Sequence, residues 1–179
     1  MKKHLKTKKM SGFRSLAFLE HIINFSGKSL TEIGDVIGLT GSALSYIFAN
    51  DDTRLSLAER IANACGFSLS IEFRDPDHNA KILEYDQRDR ERYGRLGFIA
   101  AALQYRGLSR AQLADMLGRD VSTARYWFRS EDIVLSYIYR IAKRLDLDVV
   151  ITAKQRILEA EDGKPKVTTI ISSKSEANL

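Results

Sequence analysis

Two stretches decide the fold: Gly38-Leu-Thr-Gly-Ser-Ala-Leu-Ser-Tyr-Ile-Phe-Ala-Asn50 and Gly118-Arg-Asp-Val-Ser-Thr-Ala-Arg-Tyr-Trp-Phe-Arg-Ser130. They belong to a longer repeat, in which Phe18–Phe73 aligns with Phe98–Ala153 without a gap, at a constant offset of 80 residues. Many aligned positions that differ exchange one apolar residue for another. The chain therefore contains one fold twice.

Within each copy the apolar residues recur three or four apart, which predicts four short helices. Ser29-x-x-Glu32 and Ser109-x-x-Gln112 are capping boxes, so we expect the second helix of each copy to begin there. Gly38 and Gly118 follow, where glycine can end a helix in the left-handed conformation without a Cβ penalty. A helix that ends in a tight turn is predicted in both copies.

The third and fourth helices have their own start signals. Thr40 and Asp120 are expected to cap the third helix of each copy. The box Ser56-x-x-Glu59 predicts the start of the fourth helix, with Ser136 in the equivalent place. Helices of about two or three turns are not stable alone, so packing has to stabilise them.

Strand patterns follow the fourth helix of each copy. Ser68–Phe73 alternates apolar and polar residues, and Leu147–Ala153 is rich in β-branched residues. Lys166–Ile171 is a further strand candidate, which the turn signal Asp162-Gly163 would fold back on Leu147–Leu158 as a small C-terminal β-hairpin.

These patterns divide the chain into five parts. Residues 1–11 form a basic flexible arm that holds five lysines, and residues 155–179 form a C-terminal strand and tail. The first unit covers residues 12–74 and the second unit residues 95–154. Residues 75–94 are a charged connector. Asp75-Pro76-Asp77 is expected to end the preceding strand, and a short helix is predicted after it.

Composition narrows the function. The 179 residues are 44% hydrophobic and 28% charged, without an apolar run that could span a bilayer and without a secretory signal pattern, so we expect a cytoplasmic protein. The single cysteine, Cys65, permits no internal disulfide and no cysteine metal cluster. His4, His21 and His78 are too scattered for a metal site, and no phosphate loop or nucleophile motif is present. An enzyme, a cofactor and a metal ion are therefore not expected.

The quoted stretches resemble the turn and recognition helix of the xenobiotic-response-element family of DNA-binding proteins, which includes Cro and phage repressors. The preceding segments, Ser29–Ile37 and Ser109–Leu117, are similar to the second helix of that family, and the resemblance covers about two thirds of the chain. It implies a mainly α fold of two tandem lambda-repressor-like helix-turn-helix units, each followed by a short β-strand. Arg119 departs from the family's apolar turn residue, and Gly41 weakens its helix by roughly 1 kcal/mol relative to Ala.

The resemblance also implies which residues contact double-stranded DNA. In the family, the start of the third helix faces the base edges, and the start of the second helix and the far end of the third meet phosphates. In the second unit these positions are Val121, Ser122, Thr123 and Arg125 for bases, with Arg110, Gln112, Arg119, Tyr126 and Arg129 for the backbone. In the first unit they are Gly41, Ser42, Ala43 and Ser45 for bases, with Lys28, Ser29, Leu30, Thr40 and Tyr46 nearby.

Charge favours the second unit as the main DNA anchor. Residues 95–154 hold ten basic and six acidic residues, a net charge of +4, whereas residues 12–74 hold five and seven, a net charge of −2. The basic arm is either a phosphate contact or a solvated terminus. Trp127, Phe48, Phe128 and Cys65 fall on the apolar sides of their helices and are expected in the core.

The sequence therefore predicts a sequence-specific transcriptional regulator, nucleoid-associated, whose recognition helices enter the major groove. The alternative is a protein-interaction module, such as an antitoxin or antiactivator, that binds a protein partner through one unit. Family members usually form homodimers, which we expect here, although two copies in one chain can also mimic a dimer.

Overall fold

The computed structural model describes residues 14–78, 80–86, 94–156 and 171–174, which form eight helices and four strands. The first unit and the connector contain α1 (Ala17–Ser26), α2 (Leu30–Ile37), α3 (Gly41–Asn50), α4 (Leu55–Ala64), β1 (Phe67–Asp75) and β2 (Ala80–Asp86). The rest contains α5 (Gly97–Tyr105), α6 (Arg110–Met116), α7 (Val121–Ser130), α8 (Leu135–Arg144), β3 (Asp148–Gln155) and β4 (Ile171–Lys174). The fold is mainly helical with a small antiparallel sheet, as predicted. No helix in these ranges is long and apolar enough to cross a bilayer.

Both predicted capping boxes are present, and they start α2 and α6. Ser29 Oγ accepts a hydrogen bond from the Glu32 N–H (3.2 Å), and Glu32 Oε2 accepts one from the Ser29 N–H (2.7 Å). Ser109 and Gln112 make the same two bonds, at 3.2 and 2.8 Å. Gly38, with φ of 72°, then ends α2 in the left-handed conformation. These helix boundaries depend on neighbours within a few residues, and the sequence predicts them correctly.

The two predicted caps of the third helices differ. Thr40 Oγ1 accepts a hydrogen bond from the Ala43 N–H at 3.1 Å, so the cap of α3 is confirmed. Asp120 stands at the equivalent position before α7, but its side chain caps nothing. The Thr123 N–H instead bonds to the Asp120 main-chain oxygen at 2.9 Å. The predicted side-chain cap at Asp120 is therefore wrong, because the main-chain oxygen of Asp120 already accepts the hydrogen bond from the Thr123 N–H.

The predicted capping box at Ser56 and Glu59 is also wrong. Helix α4 begins one residue earlier, at Leu55, and Ser56 gives its N–H to Asp132 Oδ1 (3.1 Å) and its hydroxyl to Asp132 Oδ2 (2.8 Å). In the same way the Ser136 N–H, at the start of α8, bonds to Asp52 Oδ1 at 3.1 Å. We call these two interactions the crossed caps. Each unit supplies the carboxylate that the other unit's fourth helix needs.

Glu59 takes a different role from the one predicted. Its side chain is buried, and Glu59 Oε2 lies 3.3 Å from Arg95 Nε of the second unit. A buried carboxylate requires such a partner, since removing the charge from water is otherwise costly. The ion pair is a further link between the two units.

One hydrophobic core runs through both units. Leu44 and Leu55 of the first unit are fully buried in it, and Trp127 and Cys65 are buried as predicted. Phe48 and Phe128, also predicted in the core, are half-buried and pack against it. The apolar sides of all eight helices in the described ranges contribute to this core, which stabilises helices too short to persist alone.

The strands form one antiparallel sheet in the order β2-β1-β3-β4. The predicted strands Ser68–Phe73 and Leu147–Ala153 lie within β1 and β3 at its centre. In the described part of the connector, residues 80–86 form the strand β2, whose backbone pairs with the edge of β1. Residues 87–93 lie outside the described residues, so the short helix of the connector stays a prediction. β4 pairs with β3 as the predicted hairpin requires, but over Ile171–Lys174. Residues 166–170, the Asp162-Gly163 turn and the basic arm lie outside the described residues.

Equivalent residues of the two units face each other at two places. In the central strand pair, Ile71 lies opposite Ile151, which is its own equivalent in the repeat. Before α4 and α8, Arg54 and Val134 form an antiparallel bridge, and they too are equivalent residues. Both pairs are antiparallel, and in an antiparallel pair a residue lies opposite its own equivalent only where a twofold axis passes between them. The two units are therefore related by an approximate twofold axis that passes through both places.

The main-chain hydrogen bonds at the bridge obey the same symmetry. The Leu55 N–H bonds to the Ile133 oxygen at 2.8 Å, and the Leu135 N–H bonds to the Thr53 oxygen at 2.8 Å. Together with the crossed caps, they satisfy the N–H groups that a helix start leaves without an internal acceptor. The starts of α4 and α8 are thus completed by the opposite unit.

The crossed caps predict a measurable loss of stability. We expect Asp132→Ala to lower the free energy of unfolding by about 1 to 2 kcal/mol, the usual range for a lost helix cap. Asp132 makes two bonds to Ser56 whereas Asp52 makes one to Ser136, so Asp52→Ala should cost less. Urea unfolding followed by circular dichroism measures both. The control Asp115→Ala changes an exposed acid, and its free energy of unfolding should stay within about 0.5 kcal/mol of the wild type. An equal loss of unfolding free energy in all three variants would contradict the crossed caps.

Candidate nucleic-acid interface

In each unit the second and third helices pack against each other across a tight turn. The Leu39 N–H bonds to the Gly34 oxygen at 2.9 Å, and at the equivalent position the Arg119 N–H bonds to the Ala114 oxygen at 2.9 Å. The turns are therefore built in the same way. The polar residue at position 119 leaves the turn intact and places its own side chain at the surface.

Helix α3 presents a small, uncharged face. Leu44 anchors the helix in the core, while the predicted base-contact residues Ser42 and Ser45 are exposed. Tyr46 is 71% exposed. The Ser45 hydroxyl donates to the Gly41 oxygen at 2.9 Å, so it is already engaged within the helix. The structure places these predicted residues together on one surface without a positive charge among them.

Gly41 and Ala43, the remaining base-contact predictions in α3, are half-buried. A Cβ on Gly41 would lie 2.9 Å from Thr31 Oγ1 on α2. Glycine at this position therefore allows the start of α3 to approach α2 closely, which accounts for a residue of poor helix propensity.

Helix α7 presents a larger and positively charged face. Ala124 and Trp127 hold the helix in the core. Of the predicted contact residues on its other sides, Thr123 is half-buried. The others are exposed: Val121, Ser122, Arg125, Tyr126 and Arg129. Two arginines and two hydroxyl groups thus share the surface of one helix.

Three predicted contacts of the first unit have structural partners. Lys28 Nζ donates to the Ala64 oxygen at the end of α4 (2.5 Å), a bond that a phosphate contact would have to replace. Ser29 and Thr40 are the helix caps described above. Leu30 is half-buried against the core. The first unit therefore offers fewer groups to a ligand than the sequence suggests.

In the second unit, guanidinium groups lie over aromatic rings at the surface. Such cation–π contacts orient an arginine while its donors remain accessible. The distances from the guanidinium carbon to the ring centre are 4.1 Å for Arg110 over Phe128, 5.5 Å for Arg119 over Tyr137 and 5.9 Å for Arg129 over Tyr126. Three predicted phosphate contacts are thus held in position by rings of the same unit.

Arg140 and Tyr137 belong to this surface, and neither was predicted from the sequence. Arg140 lies 5.0 Å from the centre of the Tyr137 ring, which Arg119 also contacts. The equivalent residue of the first unit, Arg60, donates instead to the Ile37 oxygen at the end of α2. The basic residues of α8 at positions 140, 143 and 144 were the available signal, because they follow Tyr137 at helical spacing.

The starts of α2 and α6 differ by one charge. Hydrogen bonds from Ser29 lower the pKa of Glu32, so its carboxylate is ionised at neutral pH. Gln112 closes the equivalent box with a neutral amide. A helix start attracts anions through its free N–H groups, and a carboxylate already placed there opposes a second anion. The start of α2 therefore carries a negative charge that Gln112 does not place at the start of α6.

Within the described ranges, no three His, Cys, Asp or Glu side chains lie close enough to hold a metal ion. Comparison of the chain with protein-family models, curated proteins and solved structures gave no match.

The Glu32 carboxylate makes a prediction about pH. Its folded-state pKa lies below the ordinary value of 4.5, so the capping contribution is present above that pH and is lost as the pH falls through the lowered pKa. Glu32→Gln should unfold at the wild-type urea midpoint at pH 7, because Gln112 forms the same box. Between about pH 5 and pH 3 the wild-type midpoint should fall further than that of the variant. Parallel curves for the two proteins would show that the charge of Glu32 contributes nothing.

Proposed function

We propose that this protein is a sequence-specific DNA-binding transcriptional regulator, in which α2–α3 and α6–α7 act as two helix-turn-helix units. The observation that carries the proposal is the surface of the second unit, where exposed Arg125 on α7 is flanked by Arg110, Arg119 and Arg129. A short helix with this residue pattern suits the major groove, which admits an α-helix. The proposed ligand is double-stranded DNA, and the proposed location is the cytoplasmic nucleoid.

Base reading is assigned mainly to α7. Arginine can donate two hydrogen bonds to the O6 and N7 atoms of guanine, and such a pair discriminates against the wrong base by about 1 to 3 kcal/mol. Arg125 and Ser122 are the exposed residues of α7 that supply such donors near the start of the helix. Thr123 is half-buried and has a smaller part in this proposal.

Phosphate binding is assigned to the arginines that stack on rings. Their guanidinium groups lie at the start of α6, in the turn and at the end of α7, which are the places where a helix-turn-helix meets the DNA backbone. Gln112 keeps the start of α6 free of negative charge. The first unit contributes through Ser42 and Tyr46, and more weakly, since Glu32 repels phosphate.

Selection of bound duplexes from genomic fragments, followed by competition with random DNA at moderate salt, tests the proposal. Arg125→Ala should weaken binding to the selected site by about 5- to 150-fold and relax the base preference at one position. The matched control Ser45→Ala alters the equivalent residue of α3 and should have a smaller effect. If no fragment is bound above random DNA, and Arg125→Ala and Thr123→Ala change nothing, the proposed function is wrong.

Salt dependence separates phosphate contacts from base contacts. Arg129→Gln should reduce the slope of log affinity against log salt by about 0.9, the value of one neutralised phosphate, with a similar loss on every DNA sequence. Lys81→Gln, on the strand β2, removes the same charge from the sheet and should leave the slope unchanged. An equal change in both variants would assign the effect to net charge alone.

The exposed apolar surface of the first unit favours a second candidate function. Val36 on α2 and Tyr46 on α3 are 67% and 71% exposed. Such residues suit a protein partner better than a phosphate backbone. In this candidate, the first unit binds a protein, as an antitoxin or antiactivator does. A stable partner that is lost on Tyr46→Ala, together with absent DNA binding, would support it over the regulator.

A further inference from the structure

The twofold relation between the units lies within a single chain. The axis passes between Ile71 and Ile151 in the sheet and between Arg54 and Val134 at the bridge. Objects related by a twofold axis lie at the same height along it. α3 and α7 therefore lie at one level of the molecule, on opposite sides of the axis.

The chain also limits how far apart these helices lie. Asn50 and Ser130, the last residues of α3 and α7, are each four residues from the bridge. Four residues span at most about 14 Å, and half of a ten-residue helix adds about 7 Å. With about 5 Å between the paired residues of the bridge, the helix centres are therefore at most about 47 Å apart. The spacing of about 34 Å between successive major-groove half-sites is within this limit.

Several contacts join the two units in this relation. The crossed caps, the bonds at the bridge and the buried pair of Glu59 with Arg95 all join one unit to the other. At the end of β1, the buried Asp75 Oδ2 accepts a hydrogen bond from the Tyr105 hydroxyl of α5 at 2.9 Å. The same oxygen lies 3.5 Å from Arg106 Nη2. The Asp75 contacts join the last residue of β1, which belongs to the connector, to the second unit, and the others join the two units directly. The chain alone therefore supplies the pairing that a homodimer would otherwise provide.

The two helices at this level are not alike. Equivalent positions carry Ser45 and Arg125 at the proposed base-contact surface, and Ala49 and Arg129 at the far end of the helix. A homodimer presents two identical helices and reads a palindrome. Two unlike helices on one symmetric frame require two unlike half-sites.

We propose that one chain is a complete binding unit that occupies a single non-palindromic duplex, with α7 on a guanine-containing half-site and α3 on a different half-site about one helical turn away. This proposal rests on the proposed function and specifies its ligand. It replaces the homodimer expected from the sequence with the alternative that two copies in one chain mimic a dimer. It also gives the protein a fixed orientation on DNA.

Stoichiometry and site symmetry test the proposal first. Duplexes selected from a random library should contain two dissimilar half-sites, and native mass spectrometry of the full chain with the selected duplex should show one chain per duplex. A palindromic site that binds two chains would overturn the inference and leave the proposed function intact. A failure to select any duplex would instead overturn the proposed function, and this inference with it.

Orientation is tested with a tethered cleavage reagent at matched positions. Asp35 and Asp115 are equivalent, exposed acids on α2 and α6, outside the proposed contact residues. In a Cys65→Ala background, which removes the buried thiol, Asp35→Cys and Asp115→Cys each carry one DNA-cleaving label. Each label should cut in only one half of the selected site, and the two labels should cut in opposite halves. Both cleavage patterns should reverse when the site is inverted. Cutting in both halves by each label would overturn the fixed orientation.

A gain-of-function variant completes the test. Ser45→Arg gives α3 the arginine of α7 at the equivalent position, so the two helices become more alike. On a palindrome made from two guanine-containing half-sites, this variant should bind at least about tenfold more tightly than the wild type, which corresponds to one added bidentate arginine contact. His21→Arg adds an arginine at an exposed position of α1 in the same unit, outside the proposed contact residues, and as the control it should bind the palindrome as the wild type does. No gain for Ser45→Arg would show that α3 does not read the second half-site.

Discussion

The antiparallel bridge between Arg54 and Val134 is the constraint on which the rest of the structure depends. A helix start leaves main-chain N–H groups without acceptors, and α4 and α8 satisfy theirs with oxygens of the opposite unit. Neither fourth helix is completed by its own unit. α4 contacts α2, and the ring of Tyr137 on α8 lies 4.9 Å from that of Trp127 on α7. Each helix pair therefore packs against a helix whose start is completed by the other unit.

The two copies of the repeat share the same helices and core but differ at the surface. Core positions exchange one apolar residue for another, as Ile33 and Leu113 do, and both of these are fully buried. Exposed positions differ in charge, and the same residue can have different partners, as Arg60 and Arg140 do. A duplicated fold with two different surfaces suits a ligand that consists of two related but unequal parts.

Much of the candidate interface follows from the sequence, because a capped helix after a glycine turn exposes predictable positions. Ser42, Ser122 and Arg125 are at the surface as expected. The partners of the cationic groups were less predictable, since rings from another helix hold Arg119, and a carbonyl 36 residues away holds Lys28. Such partners depend on helix packing, which local patterns do not describe.

The sequence by itself determined the duplication, the order of helices, both Ser capping boxes and the central strands, because each depends on neighbours a few residues away or on periodicity. The tertiary structure decided the caps of α4 and α8, the strand in the connector and the twofold relation. Asp52 and Asp132 are identical in the repeat, yet their partners lie 84 and 76 residues away. A hydrogen bond between distant residues forms only where the fold brings donor and acceptor together, and no local pattern specifies that meeting.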